Sequence, residues 1–187
     1  MANEAEVYLE KYAFEEIVRS CFEIPKVECM GYLFGNSYEK KNGNLSYLIK
    51  AVHPIQNADR FPSSIILDIN DKKPKFVLLD EFIGDFHSHI ESSVQKNNVR
   101  VNTKGKVSFS SLDRETFGIY PINTSLVVAL NKIKKKNKVS NNNPFLISGY
   151  VEDNSKVYKF DIGAYWKNYR IRRAKIKTDP KMLKLIS

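Results

Sequence analysis

The chain has 187 residues, 42% of them hydrophobic and 12% aromatic, enough apolar material for one globular core. With 27% charged residues and only 8 glycines and 7 prolines, collagen-like, low-complexity and wholly disordered classes are excluded. A formal net charge of +9 points at first to a polyanionic partner, but the charge is concentrated in two places. Lys132, Lys134, Lys135, Lys136 and Lys138 fill the stretch 132–138 without an acid, and residues 165–187 carry eight basic residues against Asp179 alone. The rest of the chain is close to neutral, so the total does not make the body a nucleic-acid-binding domain.

Taken in chain order, residues 7–9 read as a short first strand. Phe14, Ile17, Val18 and Cys21 then recur at the spacing of one buried helix face, and Pro25 closes that segment. The apolar run 29–34 reads as a buried strand, Asn42-Gly43-Asn44 as a turn, and 45–53 as the strand paired across it. Residues 64–69 and 76–86 supply further strand-like or mixed material, interrupted by Asp71-Lys72-Lys73-Pro74. A short helix is expected over 110–117, with Ser110 or Ser111 as its cap. Residues 125–130 form a strand, and 145–151 with 156–162 a hairpin. From 164 onward the chain reads as helical or extended, with disorder left open for the last dozen residues.

Cys21 and Cys29 allow at most one disulfide, which is no disulfide framework. No basic stretch followed by an apolar one opens the sequence, and the longest apolar runs are strand-sized. The expectation is a soluble protein of a reducing cytoplasm, without a membrane segment.

The chemistry concentrates in Gly84-Asp85-Phe86-His87-Ser88-His89, which holds two of the three histidines. On a strand, His87 and His89 share one face and can bind one metal ion together; the bland alternative is an exposed His-Ser-His at a strand end. Downstream, Ser110-Ser111-Leu112-Asp113 places Asp113 in the first turn of the expected helix, as a candidate third ligand. Upstream, Glu28 precedes a buried strand. Two histidines, one aspartate and an open fourth position suit a catalytic zinc, with a carboxylate outside the ligand set as general base.

The ordered series Glu-x-x-Gly-x-Leu-x-Gly from Glu28, Gly-x-x-His-Ser-His from Gly84 and Ser-x-x-Asp from Ser110 resembles the JAMM (MPN-plus, or JAB) metalloprotease domain. The resemblance runs from about residue 7 to 162. It implies an α/β fold, a single mixed β-sheet domain flanked by helices in the JAB/MPN (cytidine-deaminase-like) architecture, over 1–163, with 164–187 as a basic tail. It implies one Zn2+ per chain on His87, His89 and Asp113, Glu28 as general base, and Ser110 as hydrogen-bond donor to the oxyanion. The implied activity is hydrolysis of a peptide or isopeptide bond after the C-terminus of ubiquitin or a ubiquitin-like modifier, whose conjugates would be the partners.

Two departures stand out. Ile90 occupies the position after the second histidine, where the family usually has proline. Residues 90–109 separate His89 from Ser110, twenty where the family usually has seven, which places an insertion at about 91–108. Within it, Val99 and Val101 against Val107 and Phe109 read as a hairpin turning near Gly105. It would serve as a lid or as an edge for an added strand, or be a mobile surface loop.

Other readings of the chain are a non-catalytic scaffold or recognition domain, and a nucleic-acid- or ribosome-associated protein. The latter would use the lysines of 132–138 and the basic tail, which could equally dock an acidic protein. Cys29 reads as core rather than as a nucleophile, His53 as structural or surface, and Ser88 as a hydrogen-bonding or passive residue between the histidines. Tyr165, Trp166 and Tyr169 read as packing aromatics, with stacking on bases as the alternative.

Overall fold

The computed structural model describes residues 4–23, 25–55, 58–61, 64–67, 81–96, 99–120, 122–137, 139, 141–153 and 156–186. The first strand, β1 (Ala5–Leu9), leads into α1 (Lys11–Glu23). β2 (Met30–Glu39) and β3 (Leu45–Pro54) form a hairpin. Its turn needs a left-handed residue: Gly43 has φ 77° and donates its N–H to the Lys40 carbonyl at 2.8 Å. β4 (Ala58–Phe61) and β5 (Ser64–Leu67) pair with each other. The expected interruption at 71–74, and residues 76–80 of the strand-like run 76–86, lie outside the described residues; the run is described from 81 and enters β6 (Phe82–Ile90).

Next come β7 (Ser92–Lys96), β8 (Val99–Thr103), α2 (Ser111–Ile119) and β9 (Thr124–Ile133). They are followed by β10 (Ile147–Asp153), β11 (Lys156–Lys167), β12 (Ile171–Thr178) and α3 (Pro180–Ile186).

Seven of these strands close a ring in the order β11-β12-β1-β3-β2-β6-β9, because β9 pairs back onto β11 from Ile133↔Val157 to Thr124↔Trp166. Closure depends on the length of β11. One edge lies along β9 throughout, whereas the other is shared, with β10 on 156–162 and β12 on 164–167. The expected α/β fold, one mixed sheet flanked by helices in a JAB/MPN architecture, is therefore replaced by a mostly β chain built on a closed barrel. Alternating apolar residues report which face of a strand is buried, but they do not report whether the two outermost strands meet.

The segment set apart by its charge takes part in that closure. β12 lies parallel to β1, and Lys175 ion-pairs with Glu4, just before that strand, at 2.7 Å and Lys177 with Glu6, within it, at 3.0 Å. The aromatics read as packing a C-terminal helix onto the sheet belong instead to the barrel: Tyr165 and Trp166 are buried on β11, while Tyr169 is exposed.

The barrel interior collects one residue in two from its strands, among them Val7, Leu33, Ile49, Phe86, Leu126, Ile162 and Trp166, all essentially inaccessible to solvent. α1 adds its stripe of Ala13, Phe14, Ile17 and Cys21 to the same core, with Phe14 packed on Phe160 at 6.1 Å between ring centroids. Each such large apolar side chain contributes roughly 1.5–3 kcal/mol by leaving water. Cys29 is core, as its strand pattern predicts, and its Sγ lies 3.0 Å from that of Cys21.

A second, smaller cluster of Phe109, Phe117, Ile122, Val127 and Tyr165 lies on the outer surface, where α2 covers β9 and β11. Among the described residues no helix is long and apolar enough to cross a membrane.

Candidate metal centre

Alternation along β6 divides its side chains between two environments. Phe86, Ser88 and Ile90 are buried toward the core, and Asp85, His87 and His89 share the other face. The two imidazoles stand 5.0 Å apart between centroids. Ser88 ties this strand to the residues before β2, because its backbone N–H donates to the Cys29 carbonyl and its Oγ accepts the Cys29 N–H, both at 2.8 Å. That double link seats Glu28, one residue earlier, beside the histidines.

Asp113 arrives from α2. Ser110 is the N-cap, and a capping box forms: the Asp113 N–H donates to Ser110 Oγ at 3.1 Å, and the Ser110 N–H donates to Asp113 Oδ2 at 2.6 Å. The far end of the helix is held from β11, where the Lys167 ammonium donates to the carbonyls of Phe117 at 2.6 Å, Gly118 at 3.2 Å and Tyr120. Those are carbonyls that a helix end leaves without partners.

The resulting geometry has His87 Nε2 3.5 Å from Asp113 Oδ1 and His89 Nε2 3.2 Å from Asp113 Oδ2. Ligands held at about 2.0–2.1 Å in a tetrahedron lie roughly 3.3 Å apart, so the spacing is that of atoms around a common ion. His87 Nε2 is also buried without a hydrogen-bond partner, an orphaned lone pair that a cation would satisfy. His89 Nδ1 meets the Lys106 carbonyl at 2.8 Å, which fixes the neutral ring with its proton on Nδ1 and leaves Nε2 free to ligate. The group His87, His89 and Asp113 could hold a metal ion.

The electrostatics follow from crowding. Burial pushes the Glu28 carboxyl up to about 7, with repulsion from Asp113 adding to it and the two histidines opposing. Burial works against ionising Asp113 as well, but the neighbouring imidazoles of His87 and His89 and the Ser110 N–H outweigh it and hold the carboxyl well below the usual carboxylate range. His89 is raised despite its burial, because Asp113, the Lys106 carbonyl and Glu28 favour the imidazolium. Without a cation, Asp113 thus stays ionised beside an imidazole, His89, whose affinity for protons is raised, and Glu28 is inclined to keep a proton near neutral pH.

The structure brings together the histidine pair and Asp113, with Ser110 capping the helix that carries Asp113 and Glu28 coupled to them electrostatically. Several others were missed. Asp85 shares the face of the two histidines, at the same alternation, and that spacing was the available signal. Its carboxyl is raised by burial, its Oδ1 is buried without a partner, and Ser125 of β9 hydrogen-bonds it. Lys106, Tyr165 and Lys167 act through contacts made between residues far apart in the chain, for which no local signal exists.

The insertion departs from its expected form. It does contain a hairpin, but β7 pairs with β8 from Ser92↔Thr103 to Lys96↔Val99, so the arms precede the expected ones. Gly105 lies beyond the turn, on the returning arm.

No family model and no curated protein matches the chain. Among solved structures, the solution structure of protein DSY2949 from Desulfitobacterium hafniense resembles it with a TM-score of 0.50 at 16% identity, over 92% of each chain. At that identity the likeness concerns the fold alone.

Proposed function

We propose that the chain is a zinc-dependent peptidase or isopeptidase, acting after the C-terminus of ubiquitin or a ubiquitin-like modifier. The single observation that carries the hydrolytic reading is the convergence of three ligand atoms from His87, His89 and Asp113 beside a carboxylate, Glu28, that is not one of them. The substrate class rests on the resemblance of the ordered motifs around Glu28, His87 and Ser110 to the JAMM domain, and takes no support from the barrel.

His87, His89 and Asp113 would hold the zinc, a donor set of two imidazoles and one carboxylate that suits it. When bound, the ion supplies Lewis acidity toward the scissile carbonyl and a water acidified to near neutral pH. Glu28, with an affinity for protons already near neutrality, would accept a proton from the attacking water and deliver it to the leaving amine. Ser110 Oγ accepts the Asp113 N–H, so its own hydrogen is free to donate to the oxyanion that develops on the substrate. The Ser88 link to Cys29 keeps Glu28 over the site while the proton moves.

The test is to load the purified chain with zinc, measure stoichiometry, and follow cleavage of a fluorogenic amide on the C-terminus of ubiquitin and of related modifiers. One zinc per chain is expected. Glu28→Gln should keep the metal and lose about 10²–10⁴-fold in rate, the usual worth of a general base. A chain that binds no zinc, or a Glu28→Gln form as active as the parent, refutes the proposal.

A further inference from the structure

Twenty residues, 90–109, separate the second histidine from the capping serine. The β7–β8 hairpin takes up 92–103, and the remainder returns across the barrel as the arm 104–109. That arm is pinned at successive points. Asn131 Nδ2 of β9 donates to the Gly105 carbonyl at 3.0 Å, and the Tyr165 hydroxyl of β11 donates to the Val107 carbonyl at 2.9 Å. The Phe109 ring stacks on Tyr165 with centroids 3.9 Å apart and lies 6.0 Å from the His87 ring.

Between the first two pins, Lys106 presents its carbonyl to His89 Nδ1. At Gly105 the arm lies close against β6 and β9. A Cβ there would sit 2.1 Å from the His89 carbonyl oxygen and 3.2 Å from the Leu130 nitrogen, both backbone atoms that cannot swing away.

We infer that the returning arm is a positioning device for His89, with Gly105 as the residue that lets it seat. The inference rests on the metal-binding reading of His87, His89 and Asp113. Its physical content is specific. The Lys106 carbonyl selects the tautomer of His89 that keeps Nε2 unprotonated and fixes the ring plane, and it reaches Nδ1 only while Gly105 lies against β6 and β9. The insertion is then part of the metal centre at its base, whatever the hairpin beyond it does. A side chain at position 105 lifts the carbonyl, and His89 regains the other tautomer and its rotational freedom.

The experiment compares the wild type with Gly105→Ala, Asn131→Ala and, as control, Gly118→Ala, where an added methyl meets nothing within 4 Å. Zinc affinity is measured by competition with a chromogenic chelator, and cobalt(II) substitution reports coordination through its visible spectrum. The His89 tautomer is read from ring-nitrogen NMR shifts of the metal-free protein at a pH high enough for the imidazole to be neutral.

Gly105→Ala should bind zinc about 10–100-fold more weakly, as loss of a group that orients a ligand does. It should also shift His89 away from the Nδ1-protonated form, with Asn131→Ala changing both in the same direction by less and Gly118→Ala changing neither. Should Gly105→Ala fail to fold, Asn131→Ala carries the test alone, since it removes a pin without adding bulk.

Wild-type affinity and an unchanged tautomer in the folded variants overturn the inference and leave the metal site standing. A wild type that binds neither zinc nor cobalt overturns the site itself.

Discussion

Lys167→Met tests whether the ligand helix is held from behind. The substitution keeps an unbranched stem against the Phe117 ring, over which the ammonium stands 5.2 Å from the centroid, and removes the charge that serves three carbonyls at the end of α2. A hydrogen bond from a charged group contributes about 1.5–3 kcal/mol, and a cation at a helix C-terminus about 0.3–1 kcal/mol. The three bonds share one ammonium and the site is only part-buried, so the net loss is taken as about 2 kcal/mol. For a chain of this size that lowers Tm by roughly 4–8 °C.

Hydrogen exchange sharpens the test. The α2 amides, Tyr120 N–H to the Thr116 carbonyl among them, should lose protection ahead of the barrel amides, and zinc affinity should fall because Asp113 rides on the same helix. A Tm within a degree or so of wild type, together with unaltered exchange in α2, would refute the reasoning about how Asp113 is supported.

Asp113→Asn should abolish zinc binding while leaving the helix formed, because an amide oxygen can still accept the Ser110 N–H; loss of the far-UV signal along with the metal would contradict this. Ser88→Ala should cost about 1–3 kcal/mol, since the buried Cys29 N–H loses its acceptor, and a urea midpoint identical to wild type would deny that link its structural role. The metal-free protein should lose stability as pH rises from about 5 to above 7. Glu28, moved from 4.5 to about 7, favours a protonated folded state, and His89, raised above 6.5, stabilises the fold only while it holds its proton. Zinc replaces the His89 proton, so its stabilising effect should grow over the same range. Urea midpoints in chelator and in zinc at about pH 5.5 and about pH 8 check both statements, and a chelated midpoint that rises with pH refutes them.

The local elements were readable because each carries its own signal. The 3.6-residue spacing of Phe14, Ile17 and Cys21 marks α1, Asn42-Gly43-Asn44 marks the β2–β3 turn, and Ser110 with Asp113 marks the start of α2. The candidate site was legible for the same reason: its members sit at a strand face and a helix N-terminus, where two- and three-residue spacings have geometric meaning. Barrel closure was not legible, because it rests on β11 offering one edge to β9 and splitting the other between β10 and β12. The basic stretch from 165 onward misled, since its lysines and arginines alternate with Ala174 and Ile176, which are buried in the barrel core. Charge described one face of that strand and hid the other.

Splitting β11 between its neighbours also orders events in time. β1 is bonded on one side by β3 and on the other by β12, so this strand, made before the others of the barrel, keeps an open edge until residues 171–178 exist. Tyr165 and Lys167, which brace the returning arm and the ligand helix, are made long after the histidines they serve. A nascent chain stopped before them has all three ligands but lacks the braces that Tyr165 and Lys167 place on the returning arm and the ligand helix. Zinc should therefore load onto the finished barrel. Ribosome-bound chains of increasing length should gain high-affinity metal binding in one late step, between those that end before Tyr165 and those that have released β12.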